Sequence, residues 1–414
     1  MKIKFVHQYF HPEIVGAAVR LTELAVGLKE KSFDISVLTS FPKSSDKKIA
    51  SNEIYNGVLI ERTSKIWFDK KNRFGRIFNA INFFLVSFFK VWNTSKDTIL
   101  FIGSDPPFLP FLGWLINKIR GQTYVVLVFD IYPELAVQLG YLKPNSWFVR
   151  FWNWLDRLSL SSAKAIVVPG KYMKGNLLKK IKDEGAHSKI WVIPTWENGD
   201  LVQPLDKKQN WFAKQYDLLT RTIVLYSGNM GLAHELVNLI EAAEFLKEHD
   251  DIFFLFIGDG GQKKQLVSLA EEKKLTNIRF LPYQPSQTMP YSCTSGDISV
   301  ITLKPEAKGL CIPTKFQTAL ASGQAILAIV PKESEIADLL DEEDCGIFVE
   351  PGSPEKIAQS ILMLHQNPAL ISTFRHKARK VFERKFTKKQ AVESYAELFR
   401  TVLNRNAEIA YHLL

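Results

Sequence analysis

Cysteine is scarce in this chain: three in 414 residues, Cys293, Cys311 and Cys345, all in the second half and with no CxxC spacing. That scarcity excludes a disulfide framework and a zinc knuckle and points to a reducing compartment. A signal-peptide pattern is also missing, because MKIKFVHQYF opens directly on a strand-like alternation. The expectation is a protein that starts at Met1 and stays in the cytoplasm. Neither a DxD motif nor a histidine cluster occurs where the two halves meet, so no metal is expected. The GxGxxG fingerprint of a tightly held dinucleotide is absent as well. Acidic residues are the minority charge, 43 against 53 Lys and Arg, for a net charge of +10. Such an excess needs a partner that tolerates positive charge: nucleic acid, anionic lipid or a phosphorylated substrate.

What remains is ordinary globular material, 46% hydrophobic and 23% charged, long enough for two cores. In the first half short β-rich runs alternate with helix-length stretches: 3–8, a helix over 17–29, then 35–38, 99–102, 124–129 and 165–168. The second half repeats that order with 222–226, a helix over 234–247, 253–257, 278–281, 298–301, 325–329 and 346–349. Alternation of this kind predicts an α/β protein with two doubly wound parallel sheets facing a cleft. The domains are placed at residues 1–200 and 201–387, with the polar stretch 198–214 as linker. The final helix, with Val392, Tyr395, Leu398, Phe399 and Val402 on one face, is expected to return to the first domain as part of 388–414.

Residues 62–93 combine charge and grease. Arg62, Lys65, Lys70, Lys71, Arg73, Arg76 and Lys90 stand against one acid, Asp69, and Ile77, Ile81, Phe84, Leu85, Phe88 and Trp92 recur at helical spacing. The pattern predicts either a core helix or an interfacial anchor on an anionic membrane, in a run too short and too polar to span one. The tryptophans Trp147, Trp152 and Trp154 favour the membrane somewhat. Nucleic acid is not expected, since the basic residues accompany a greasy helix rather than a nucleic-acid module.

Several loops sit where a strand ends and a helix begins. The first strand leads through His7 to HPEIVGAA, with Gly16 and then Arg20; small residues there let backbone N–H groups approach a phosphate. Ser227-Gly228-Asn229-Met230-Gly231 holds the same position in the second half, and Gly258 opens a second glycine turn. Two such loops are suited to a diphosphate leaving group stabilised by donors and cations. The segment from Lys304 through Glu306, Gly309, Leu310, Pro313, Thr314 and Lys315 to Thr318 adds a hydroxyl and a mobile cation at a helix start. Asp130 and Glu134 follow the strand YVVLVFD, where a carboxylate can bind or deprotonate an acceptor hydroxyl. His7 is an acceptor-side candidate.

The ordered set Gly16-Ala17, Asp130-Ile131-Tyr132-Pro133-Glu134, Ile193-Pro194-Thr195-Trp196, SGNMG, IGDGG and PTK…LASG resembles family 4 of the retaining glycosyltransferases. The nearest branch is the bacterial one that includes N-acetylfucosaminyl transferases of surface polysaccharides. The resemblance implies the GT-B fold and transfer, with retention, from a nucleotide diphosphate sugar to a saccharide acceptor. It places Ser227, Gly228 and Asn229 on the diphosphate, Lys315 as its neutralising cation, and Glu306 or the backbone near Gly309 and Leu310 at the sugar. The base falls to the segment around Tyr283; Gly16, Arg20, Gly258, Thr314 and Thr318 complete the donor set. Asp130, Glu134 and Lys315 are read as catalytic. A UDP-sugar is expected over a GDP-sugar, with no other cofactor. The acceptor expected is a lipid-linked saccharide at the inner face of the cytoplasmic membrane, in O-antigen or capsule synthesis.

Two departures stand out. Many family members carry two glutamates eight positions apart, whose places here are Leu310 and Thr318, and the usual Arg and Lys after the SGN turn are replaced within LAHELVNLIEAAEFL. The alternatives are a nucleotide-sugar epimerase on the same plan and a non-catalytic sugar-binding protein.

Overall fold

The computed structural model describes residues 1–13, 16–42, 49–68 and 73–411. Asp69, Lys70 and Lys71 of the basic stretch lie outside the described residues. In chain order the first elements are β1 (Lys2–Val6), α1 (Gly16–Glu30), β2 (Asp34–Ser40), β3 (Asn52–Tyr55), β4 (Val58–Ser64), α2 (Arg73–Trp92), β5 (Ile99–Gly103) and α3 (Leu109–Arg120). Then come β6 (Tyr124–Leu127), α4 (Glu134–Gln138), α5 (Trp147–Ser162), β7 (Ala165–Val168), α6 (Lys171–Ile181) and β8 (Ile190–Val192). The second series is α7 (Trp211–Gln215), β9 (Thr222–Ser227), α8 (Val237–Phe245), β10 (Ile252–Ile257), α9 (Lys263–Glu272), β11 (Ile278–Leu281), α10 (Met289–Cys293) and β12 (Ile298–Thr302). It closes with α11 (Lys315–Ala321), β13 (Ala325–Ile329), α12 (Glu335–Glu343), β14 (Gly346–Val349), α13 (Pro354–Gln366), α14 (Pro368–Lys385) and α15 (Lys388–Tyr411).

The chain divides into two compact units, Met1–Pro194 with Lys388–Leu414, and Thr195–Thr387. The stretch read as the linker lies within the second unit. Its Asn210 side chain caps α7 and donates to the Tyr291 carbonyl at 2.8 Å, while Lys207 pairs with Asp297 at 2.5 Å. Those bonds fix a segment whose polarity alone suggested freedom.

In the first unit eight strands follow the order β3-β4-β2-β1-β5-β6-β7-β8, parallel except for β3 against β4. In the second, six parallel strands run β11-β10-β9-β12-β13-β14. Parallel strands covered on both faces must be apolar along their whole length, and β10, Ile252-Phe253-Phe254-Leu255-Phe256-Ile257, is buried at every position. Alternate side chains serve opposite faces: Val224 and Tyr226 join the larger core, Ile223 and Leu225 the smaller one under α7. Strand order reverses beside β1 and β5 in the first unit and beside β9 and β12 in the second. Ligands of doubly wound sheets bind outside the strand carboxyl ends at such reversals.

Helix α15 packs on α1. A Cβ on Gly27 would fall 2.6 Å from Val392, and Phe399 packs against Phe33 and Phe101. The hairpin β3–β4 turns on Asn56 and Gly57, both at positive φ (46° and 79°), the conformation a two-residue hairpin turn requires.

Helix α2 differs from the expectation. It runs 20 residues, and its Phe74–Trp92 part is long and apolar enough, by length and composition, to cross a membrane. It nevertheless rests on its unit, packing on β4 and α3 with Phe83, Ser87 and Val91 buried. The opposite side is open: Phe74 is 85% exposed, and Ile77, Phe78, Ile81, Leu85 and Phe89 are all exposed. Helix α3 packs in turn on α5, where Trp147 (78% exposed), Phe151 and Trp154 are also bare. Trp152 instead is core, stacked between Phe108 and Tyr132.

Candidate functional site

The carboxyl end of β9 delivers Ser227, Gly228 and Asn229, and the end of β10 delivers Gly258, Asp259 and Gly260. These two loops meet closely, backbone against backbone and Gly260 against the Asn229 side chain. A Cβ on Gly258 would lie 2.0 Å from the Gly228 carbonyl oxygen, and one on Gly260 2.5 Å from that of Met230. Gly228, Gly258 and Gly260 all have φ in the glycine region, at 135°, 141° and 156°. Met230 N–H donates to the Asp259 carbonyl at 2.9 Å and Tyr226 Oη to the Asn229 carbonyl at 2.6 Å, so the turn is held from both sides.

Lys315, the first residue of α11, points at this turn: a Cβ on Gly228 would sit 3.3 Å from its Cε. Its Nζ donates to Tyr226 Oη, lies 4.0 Å from the centre of that ring and 3.4 Å from His234 Nε2. His234 Nδ1 faces the Thr302 carbonyl at 2.8 Å and must donate to it, which leaves Nε2 as a lone pair toward the lysine. No carboxylate takes part in these bonds. Burial therefore pushes the Lys315 ammonium down to about 7, and burial with the adjacent Lys315 charge takes His234 to about 3. A buried ammonium beside a glycine turn is placed where an anion would favour its charged form.

Glu306 lies on a turn after β12, tied back by Lys304 N–H to the Ala233 carbonyl at 2.9 Å. Gly309 has φ 64°, Leu310 is buried and Thr314 is exposed just before α11. The Tyr283 hydroxyl reaches the Asp259 carbonyl at 3.4 Å, leaving its ring 55% exposed beside the glycine turn. Thr318, one turn after Lys315, donates to Glu197 Oε2 at 2.6 Å.

In the first unit the strand ends of β1, β5 and β6 gather a second group. His7 is buried with Nε2 unbonded, against Gly103, where a Cβ would meet that nitrogen at 1.8 Å; burial alone takes its imidazole down to about 3. Asp130 is raised to about 7, first by burial and then by the charge of Asp105. Tyr9 also feels Asp105, Glu13 and, from the first turn of α2, Arg76. Arg20 is 8% exposed and donates to the Gly16 carbonyl at 3.3 Å. Glu134 turns elsewhere: Lys180 of α6 pairs with it at 2.9 Å and with Asp156 at 2.6 Å. Glu134 is thus engaged in an ion pair, while Asp105 and Asp130 share the strand ends.

Sequence reasoning passed over Tyr226, the packing partner of Lys315, and Asp105, the charge that perturbs Asp130. Asp105 carried a signal, since Ser104-Asp105-Pro106 follows β5 directly. Tyr226 carried none, being the last of the four-residue apolar run of β9.

Residues 207–381 match the family model described as Glycosyl transferases group 1, a span that includes the whole Lys315 site except Glu197. The chain is 25% identical over 331 residues to the probable glycosyltransferase WbjE of Pseudomonas aeruginosa, covering 80% of each protein. It is 23% identical over 411 residues to the putative colanic acid biosynthesis glycosyl transferase WcaI of Escherichia coli K12, covering 95% of this chain and 98% of that one. Among solved structures, Anabaena HepE in complex with UDP-glucose superposes with a TM-score of 0.72 at 16% identity, over 97% of this chain and 100% of that one. The fold is GT-B.

Proposed function

We propose that this protein is a group 1 glycosyltransferase that moves a sugar from a nucleotide diphosphate, UDP before GDP, to a lipid-linked saccharide at a membrane surface in polysaccharide synthesis. The observation that carries the reading is the meeting of Lys315 with the Ser227-Gly228-Asn229 turn at the strand-order reversal of the second unit. Departure of the diphosphate breaks the anomeric carbon–oxygen bond and leaves charge on phosphate. Lys315 and the backbone donors of the turn stabilise that charge where it develops. The acceptor oxygen forms the new bond from the same face, giving retention, and its proton goes to a base, for which Asp130 is our candidate. The exposed ring of Tyr283 serves the nucleobase, and the segment from Glu306 to Leu310 the sugar. The WcaI likeness and the colanic acid in its name support a polysaccharide product. The bare aromatic faces of α2 and α5, with Arg76, Lys90 and Arg150 on the same helices, support docking on anionic lipid as an alternative to spanning.

The test is a panel of UDP- and GDP-sugars screened by thermal shift, followed by transfer to a lipid-linked diphosphate saccharide in anionic or neutral vesicles. Expected is stabilisation by one UDP-sugar and faster transfer in anionic vesicles. Conversion of the donor without acceptor would establish an epimerase instead, and binding without turnover a sugar-binding protein.

Lys315 also sets a pH dependence. A bound diphosphate draws its pKa from about 7 toward the ordinary lysine value, so binding takes up a proton. Donor affinity is thus complete below about pH 7 and falls as pH rises above it, by up to about tenfold per unit. Tyr226, held well above its usual value, and His234, near 3, are silent in that window. Calorimetry of UDP from pH 7 to 9 in two buffers of different ionisation enthalpy reads the proton directly; a flat affinity would remove the linkage.

A further inference from the structure

Lys180 stands in the last turn of α6 with its side chain 6% exposed. Each of its three N–H groups has an acceptor: Glu134 Oε2 at 2.9 Å, Asp156 Oδ2 at 2.6 Å and the backbone carbonyl of Tyr132. The carboxylates belong to helices α4 and α5. The carbonyl belongs to the loop after β6, two residues beyond Asp130. Tyr132 is also gripped by its ring, which stacks on Trp152 with centres 6.0 Å apart and planes 14° from parallel. Trp152 and Asp156 stand four residues apart on α5 and so share a face. Helix α5 thus holds Tyr132 directly by its ring and, through Lys180, by its carbonyl. The other side of Trp152 meets Phe108, 4.3 Å away, in the loop after β5 that bears Asp105.

A base must stay within hydrogen-bond reach of the hydroxyl it deprotonates, and a misplacement on the order of 1 Å costs about a hundredfold in rate. A bare cation beside it would favour the ionised carboxylate and weaken it as a base. Lys180 carries two carboxylates of its own, and the charge that perturbs Asp130 is that of Asp105. We infer that Lys180 is a positioning residue of the transfer reaction: through the Tyr132 carbonyl it fixes the loop that presents Asp130 to the acceptor hydroxyl. This rests on the reading of Asp130 as the acceptor base. It also gives Glu134 and Asp156 a part, as the anions that let a cation tether that loop without weakening the base.

The experiment compares the wild type with Lys180→Met, the double variant Lys180→Met/Asp156→Asn, and Asp130→Asn, by transfer kinetics at saturating donor, UDP calorimetry and melting curves. Lys180→Met strands two carboxylates; the double variant removes one charge of each sign and carries the comparison alone if the single one does not fold. In both, kcat is expected to fall about a hundredfold with UDP affinity within about twofold of wild type. The signature is the pH profile. Asp130 is pushed up to about 7, by burial first and the Asp105 charge second, so wild-type kcat declines below that pH as the base takes a proton. Asp156, pushed up to about 6 by burial against the pull of Lys180, is absent from the double variant. Tyr9, raised beyond its ordinary range, and His7, near 3, are silent in that window. A loosened loop admits water to Asp130 and moves the acid limb down by about one pH unit or more, whereas loss of folded protein lowers the rate without moving it. An acid limb that stays in place, whatever the loss of rate, makes Lys180 a structural ion pair and overturns the assignment; an unchanged kcat does the same. Wild-type turnover by Asp130→Asn removes the base itself, and the assignment with it.

Discussion

Lys315→Ala is expected to lower kcat/KM for sugar transfer by about a thousandfold or more, with no loss of thermal stability. The size follows from position: the ammonium is the cation packed beside the Ser227-Gly228-Asn229 turn, and loss of one preorganised donor to a developing anion typically costs 10²–10³, with a full charge at the upper end. Stability should hold because the lysine gives little to the unliganded fold. A group whose pKa is pushed below its unfolded value destabilises the native state as pH falls from the ordinary lysine range through about 7, and alanine removes that cost. Lys315→Arg should not rescue, since the Tyr226 ring and His234 Nε2 enclose a compact ammonium and not a planar fork. Steady-state kinetics with a melting curve separates the readings. Unchanged turnover removes Lys315 from the reaction, whereas equal losses of activity and melting temperature make it a packing residue.

The parts of this site that were legible in sequence are those whose reason is local. Gly258 and Gly260 announce themselves because a Cβ there, at positive φ, would fall within 3 Å of other backbone, and Gly228 by its positive φ. The strand Ile252–Ile257 reads as core from its unbroken apolar run. The hairpin β3–β4 carries a local turn signal in Asn56-Gly57, yet β3 is short and half exposed and the pair escaped the reading. What stayed hidden depends on contacts between distant residues. Glu197 meets Thr318 across 121 positions, and Lys207 meets Asp297 across 90, turning a polar stretch from linker into framework. His234, read as the first residue of a helix, stands before it, because α8 begins only at Val237 and the imidazole is claimed by Thr302 of β12. Helix α2 shows the limit of composition. Its stripe suits a core, an interface or a span equally, and only the bare side of Ile77, Ile81, Leu85 and Phe89 separates these.

Gly258→Ala is expected to abolish activity through the fold, costing about 3 kcal/mol or more. Two penalties combine. At φ 141° a Cβ is strained wherever it points, and here it points at the Gly228 carbonyl oxygen, 2.0 Å away, with Gly228 C at 2.9 Å. Those neighbours are backbone, so no flexible side chain can give way. Gly228 is itself bonded through its N–H to the Ile257 carbonyl at 2.8 Å, and Gly258 through its N–H to Leu281 at 3.0 Å. Relief therefore means parting the carboxyl ends of β9, β10 and β11, which are the floor of the proposed diphosphate site. In a unit of this size each kcal/mol moves a melting temperature by about 2–4 °C, so a fall near 10 °C is expected for the second unit. Gly261→Ala is the matched control. It lies three residues on, outside the positive-φ set, and its Cβ would meet nothing within 4 Å. It should leave both the melting temperature and UDP affinity within about 0.5 kcal/mol of wild type. If Gly258→Ala melted and bound UDP like that control, the close approach of the two turns would be wrong, and with it the geometry that brings Lys315 to the leaving group.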